Sequence, residues 1–116
     1  AVINVTSGLA FVPLPKAATY SATKAALHSY TVSLRAKLKD AVEVIEIAPP
    51  GVQTELTPGQ SEREEYMLLG EFIDQTMRQF ESDHTPPEVL TEPVKPFRHV
   101  ERDGKFDEFF AMLAAR

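Results

Sequence analysis

Tyr20 and Lys24 stand four residues apart. On a helix that spacing puts a phenol and an ammonium on one face, one turn from each other. A phenol with its ordinary pKa of about 10 is a poor proton carrier near neutrality, and an adjacent cation favours its charged form. A tyrosine so placed can serve as a general acid or base, a role worth roughly 10²–10⁴-fold in rate. Ser7 lies thirteen residues before Tyr20, and its hydroxyl can donate to a carbonyl oxygen or orient the phenol. A third stretch, Pro49-Pro50-Gly51-Val52-Gln53-Thr54, stops a strand abruptly and lies at its carboxyl end. The Tyr–Lys pair alone is weak, because chance produces it often; the three stretches carry weight only if the fold gathers them.

The elements around these residues bring them together. Residues 1–6 are rich in Val and Ile and read as a strand that ends at Ser7-Gly8. Gly8, Pro13 and Pro15 make residues 8–17 a loop. Residues 18–39 contain no Gly or Pro, are rich in Ala, and repeat apolar positions at Leu27, Tyr30, Leu34 and Leu38, so a long helix is expected. Residues 42–48 read as a second strand stopped by Pro49-Pro50-Gly51. Strand, helix and strand form a βαβ unit, which is parallel and right-handed. Ligands in such sheets bind beyond the carboxyl ends of the strands. Ser7 and Val52–Thr54 fall at that edge, and the crossover returns Tyr20 and Lys24 towards it.

Further along, residues 55–61 read as a loop and 62–82 as one or two helices. Leu69, Phe72, Ile73, Met77 and Phe80 share a face there, read as core packing, and the acidic run from Glu62 to Glu65 is read as a solvated helix start. Residues 83–93 form a connector with a short strand at Val89–Thr91, and Lys105–Ala115 a terminal helix striped with Phe106, Phe109, Phe110 and Leu113. His28, one turn beyond Lys24, is read as a surface or interface histidine. His84 and His99 have no partner at ligand spacing, so no metal site is expected.

Asn4-Val5-Thr6-Ser7-Gly8 followed by Ala18-Thr19-Tyr20-Ser21-Ala22-Thr23-Lys24-Ala25-Ala26 resembles the active-site stretch of short-chain dehydrogenases/reductases. The segment Glu92–Arg98 and the Phe-rich tail are similar to the DltE-like branch of that family. The resemblance implies an α/β fold: the C-terminal half of a Rossmann-type doubly wound parallel sheet, from its fifth strand onward. With it come a helical lid at about residues 55–82 and a C-terminal helix. It implies hydride transfer between NAD(P)(H), with NADP favoured, and a small carbonyl or alcohol substrate. By the same resemblance Tyr20 passes the proton, Lys24 assists Tyr20 and binds the nicotinamide ribose, and Ser7 holds the substrate carbonyl. Pro49, Pro50, Gly51, Val52 and Thr54 would line the cofactor, Val52 through its backbone. A cytoplasmic location and a homodimer or higher assembly through the 18–39 helix are also expected.

The chain departs from the pattern in three ways. Pro50 stands where the family has Gly, removing a backbone donor beside the nicotinamide. There is no Gly-x-x-x-Gly-x-Gly loop to cradle a pyrophosphate. The family's asparagine on the helix before strand five is missing as well. The first residues enter a strand with no preceding turn, so the 116 residues are expected to be the C-terminal portion of one longer domain. Residues 1–6 would then present a bare apolar edge that invites association. A competing reading is a truncated relative that retains catalytic residues by descent and acts as a partner-dependent binding module. A third is a cofactor-binding sensor. The net charge of −5 disfavours nucleic acid, no apolar run is long enough to span a bilayer, and the absence of cysteine excludes disulfides.

Overall fold

The computed structural model describes all of residues 1–116. Three parallel strands, β1 (Val2–Val5), β2 (Val44–Ile47) and β3 (Glu88–Val89), form a sheet in the order β1-β2-β3. Helix α1 (Ala18–Leu38) crosses from β1 to β2. Helix α2 (Leu69–Glu81) precedes β3, and α3 (Lys95–Arg98) and α4 (Phe106–Ala114) close the chain. The fold is thus the α/β, Rossmann-type half-sheet that the sequence predicts.

Burial along the strands follows their place in the sheet. In β2, Val44, Ile45 and Glu46 are all buried, as befits a central parallel strand covered on both faces. In β1 burial alternates, and Ile3 and Val5 are each 48% exposed. β1 pairs with β2 in the register Val2↔Val44 to Val5↔Ile47 and has no neighbour on its other side.

Side-chain hydrogen bonds set the crossover. Ser21 Oγ accepts from Leu14 N at 3.1 Å, pinning the loop to the first turn of α1. Asn4 Nδ2 donates to Thr31 Oγ1 at 3.1 Å, fastening the middle of α1 to β1. Arg35, in the last turn, donates to the carbonyls of Val44 and Pro87 at 3.1 and 3.0 Å, at the N-terminal ends of β2 and β3. A separate apolar cluster of Val12, Val100 and Leu113, packed by Leu9, Leu14, Phe97, Phe106 and Phe109, seats α4 against the loop after β1. The Phe97 and Phe109 rings meet edge to face at 5.2 Å.

Two sequence expectations fail between β2 and β3. Residues 63–68 are not helical: a 3-10 turn ends at Glu62, Arg63 is extended, and Val52 forms an isolated parallel bridge with Met67. Bonds to the end of β2 replace helical ones there, with Gln53 N donating to Met67 O and Met67 N to Gly51 O, both at 2.9 Å. Tertiary pairing overrides the local charge pattern. The apolar stripe of α2 is not core either. Leu69 and Phe72 line a cavity, and Ile73 and Met77 are exposed. Helix α2 is held instead by glutamines, Gln79 Nε2 donating to Leu90 O at 2.7 Å and Gln75 Oε1 accepting from Glu92 N at 2.9 Å. The short strand begins at Glu88, and Thr91 already lies outside it, leading into a 3-10 turn.

Candidate active site

Ser7 leaves β1 in extended conformation and opens a 3-10 turn over Gly8–Ala10. Its Oγ accepts from Leu9 N at 3.1 Å, which leaves the hydroxyl proton free to donate. The turn is fixed to the end of β2 by Gly8 N donating to Pro49 O at 2.9 Å. Glycine is needed at this position because a Cβ there would stand 2.9 Å from Val94 Cγ2.

Tyr20 and Lys24 lie in the first two turns of α1. Lys24 Nζ donates to Val5 O at 2.9 Å and sits 5.6 Å from the centroid of the Tyr20 ring, within cation–π range. The ammonium therefore bridges the end of β1 and the phenol. The Tyr20 ring is 43% exposed, and its hydroxyl makes no hydrogen bond within the chain.

The turn after β2 supplies the other wall. Val52 O accepts from Gln60 Nε2 at 2.8 Å, whereas Val52 N–H makes no bond within the chain. Thr54 Oγ1 accepts from Leu56 N and from Gln60 Nε2, at 3.3 and 3.2 Å, which leaves its proton unspent. Val52 N–H is therefore a free backbone donor on the wall of the cavity that Pro50 also lines. Tyr66 packs flat against Gly51, where any Cβ would lie 2.7 Å from the ring. The Arg63 guanidinium lies over that ring, 4.9 Å from its centroid.

Ser7, Tyr20, Lys24, Pro49, Pro50, Gly51, Val52 and Thr54 all line one cavity of about 650 Å³. Its other walls are largely apolar and include Leu14, Leu69, Phe72 and Leu113. Two cations, Lys24 and Arg116, line it and no carboxylate does, although the chain carries 17 acidic residues. The free donors fit the nicotinamide end of a dinucleotide: Lys24 Nζ with two hydrogens left, Val52 N–H and the Thr54 hydroxyl.

Sequence reasoning missed the layer beneath the site. His28, read as a surface or interface histidine, is half-buried, its side chain 22% exposed. Its Nδ1 lies 2.8 and 2.9 Å from the two carboxylate oxygens of Glu46, which is completely buried. The available signal was strand alternation: Glu46 shares a face with Val44, the face that packs inward. Gln60 was missed too, and a glutamine in a loop offers no signal of that kind.

Comparison with known proteins points the same way. Residues 1–65 match the family described as short chain dehydrogenase. The chain is 37% identical to the uncharacterized oxidoreductase DltE of Bacillus subtilis (strain 168), over 97% of this chain and 46% of that protein. It is 30% identical to estradiol 17-beta-dehydrogenase 2 of Rattus norvegicus, over 79% of this chain and 25% of that protein. Among solved structures it superimposes on a short chain dehydrogenase from Burkholderia cenocepacia J2315 in complex with NADP. The TM-score is 0.75 and the identity 28%, over 96% of this chain and 47% of that one. The chain thus spans about half the length of DltE and of this solved dehydrogenase. With the matched residues running from β1 through the turn after β2, where the serine, the phenol and the ammonium face one cavity, the chain belongs to the short chain dehydrogenase family.

Proposed function

We propose that this chain forms the catalytic half of an NAD(P)-dependent oxidoreductase acting on a small carbonyl or alcohol. The observation that carries the reading is the convergence of Ser7, Tyr20 and Lys24 on one cavity, across from the free Val52 N–H. The hydride chemistry is that of the nicotinamide. Ser7 donates its remaining proton to the substrate oxygen and holds it towards Tyr20. In the direction of reduction, Tyr20 gives its phenolic proton to that oxygen as the carbon gains hydride, and the resulting phenolate is reprotonated from solvent. The Lys24 charge, held near the ring by Val5 O, stabilises negative charge developing on the Tyr20 oxygen. Its two other hydrogens are available to ribose hydroxyls. Val52 N–H suits a carboxamide oxygen, and the Thr54 hydroxyl lies on the same wall. NADP is favoured, on the strength of the related dehydrogenase bound to NADP.

The open β1 edge supports a second reading, a binding module that works only beside a partner strand. NADPH fluorescence titration of the purified chain, followed by reduction assays against a panel of ketones and aldehydes, separates the two. Micromolar binding with turnover that depends on Tyr20 supports the oxidoreductase. Neither binding nor turnover, alone or with a complementing half, overturns it.

A further inference from the structure

The fully buried carboxylate of Glu46 lies in the central strand, opposite Asn4 of β1 and Glu88 of β3. A two-sided buried strand ordinarily carries Val, Ile or Leu at such a position. A carboxylate there must be desolvated, and removing it alone would leave its buried partners unsatisfied. Glu46 is compensated by two donors. Thr6 Oγ1 donates to its Oε2 at 2.7 Å, and His28 Nδ1 stands within 2.9 Å of both oxygens.

Those two donors belong to the elements that carry the site. Thr6 directly precedes Ser7, and His28 lies one turn beyond Lys24 on α1. The peptide on the other side of Thr6 is held by Lys24, through Val5 O. Three consecutive residues of the β1 exit therefore have assigned tasks: Val5 to Lys24, Thr6 to Glu46, and Ser7 to the cavity. The histidine ring is itself fixed by Phe11, from the loop after Ser7, edge to face at 4.9 Å. Arg98 lies over the Phe11 ring, 4.8 Å from its centroid, and is paired with Glu88 through Nη2 at 3.0 Å.

Resting on the oxidoreductase reading, we propose that Glu46 and His28 are positioning residues for Ser7, Tyr20 and Lys24. The carboxylate grips the end of β1 and the third turn of α1 together. It thereby fixes how far α1 can slide along β1, and with it the spacing between the serine hydroxyl and the phenol. Neither residue lines the cavity. The benefit is geometric, and a displacement of about 1 Å can cost roughly 10²-fold in rate.

The test compares Glu46→Leu, His28→Leu and His28→Gln with the parent protein in NADPH-dependent reduction, with thermal melts alongside. Glu46→Leu, which strands the Thr6 and His28 donors, is expected to melt lower than the parent and, assayed well below its melt, to lose about 10²-fold in kcat, with NADPH Kd and substrate KM moving less than about threefold. His28→Leu loses rate in the same way, and His28→Gln, which restores a donor, recovers most of it. An unchanged kcat in Glu46→Leu and His28→Leu, or a loss that only tracks the melting temperature, overturns the proposal. Should Glu46→Leu not fold, the two His28 variants decide. A readout independent of turnover separates this from failure of the oxidoreductase reading, which a silent Tyr20→Phe would signal. The Ser7 amide and Lys24 Nζ resonances of the cofactor-free chain shift in His28→Leu if the carboxylate sets their positions. Unchanged resonances overturn the proposal whatever the assay shows.

Discussion

Lys24 Nζ lies 2.9 Å from the carbonyl oxygen of Val5, so the cation that accompanies Tyr20 is moored to the strand that delivers Ser7. Replacing it removes both a charge and a mooring. Lys24→Met is expected to lower kcat by roughly 10²–10⁴-fold and to weaken NADPH binding. Lys24→Arg restores the charge but not the geometry, because a planar guanidinium does not substitute for a compact ammonium. Steady-state kinetics with an NADPH titration for each variant check this.

Tyr20→Phe removes the proton donor and leaves the ring under Lys24 in place. The expected result is a loss of roughly 10²–10⁴-fold in kcat with NADPH affinity unchanged. Equal losses in kcat and in binding would show that the hydroxyl holds cofactor rather than moving a proton.

Gly51 is the place where Tyr66 closes on the turn after β2. Gly51→Ala forces the ring away and is expected to destabilise by about 1–3 kcal/mol. In a Tyr66→Ala background the same change should cost little, since the two residues are in direct contact. Denaturant melts of the two single variants and the double variant measure the coupling.

The Arg98 guanidinium hydrogen-bonds Glu88 and holds its carboxyl below the ordinary carboxylate range, against the opposing effect of burial. A carboxyl lowered on folding contributes stability that is fully present above its unfolded pKa, about 4.3, and is lost as pH falls through the folded value. Melting temperature should therefore fall below about pH 4.3. Glu88→Gln should be less stable than the parent at neutral pH and show a shallower acid limb. Parallel limbs for the two proteins would remove Glu88 from the account.

The outer edge of β1, with Ile3 and Val5 exposed, is expected to drive self-association of the isolated chain. Ile3→Lys should shift sedimentation towards monomer, because a charge on an edge strand opposes pairing. A parent chain that sediments as a monomer and melts cooperatively would contradict this.

The βαβ unit was legible in the sequence because strand and helix periodicities there agree with the tertiary arrangement. Val2–Val5, Ala18–Leu38 and Val44–Ile47 each fall inside the predicted spans. Ser7, Tyr20 and Lys24 were legible because spacing along one βαβ unit nearly determines where they lie. Beyond Thr54 the chain is organised by contacts that no local pattern encodes. The acidic stretch at Glu62–Glu65 looks like a helix start, but there the chain leaves a 3-10 turn at Glu62 and turns again over Glu64 and Glu65 before the bridge of Met67 with Val52. The stripe on α2 has helical spacing, yet it faces a cavity and solvent rather than a core. His28 was misread for the same reason: its partner, Glu46, is eighteen residues away in sequence and hidden inside the sheet.

The bridge between Val52 and Met67 closes residues 53–66 into a loop whose two ends are fastened side by side. That seam separates two freedoms. Residues inside the loop can change in length or composition, altering what the cavity admits, without dragging the strand terminus along, since a longer loop between fixed ends costs little. Changes at Gly51, Val52 or Met67 have no such latitude. Variation in selectivity among chains built this way should therefore accumulate between Thr54 and Glu65, with the seam itself left alone.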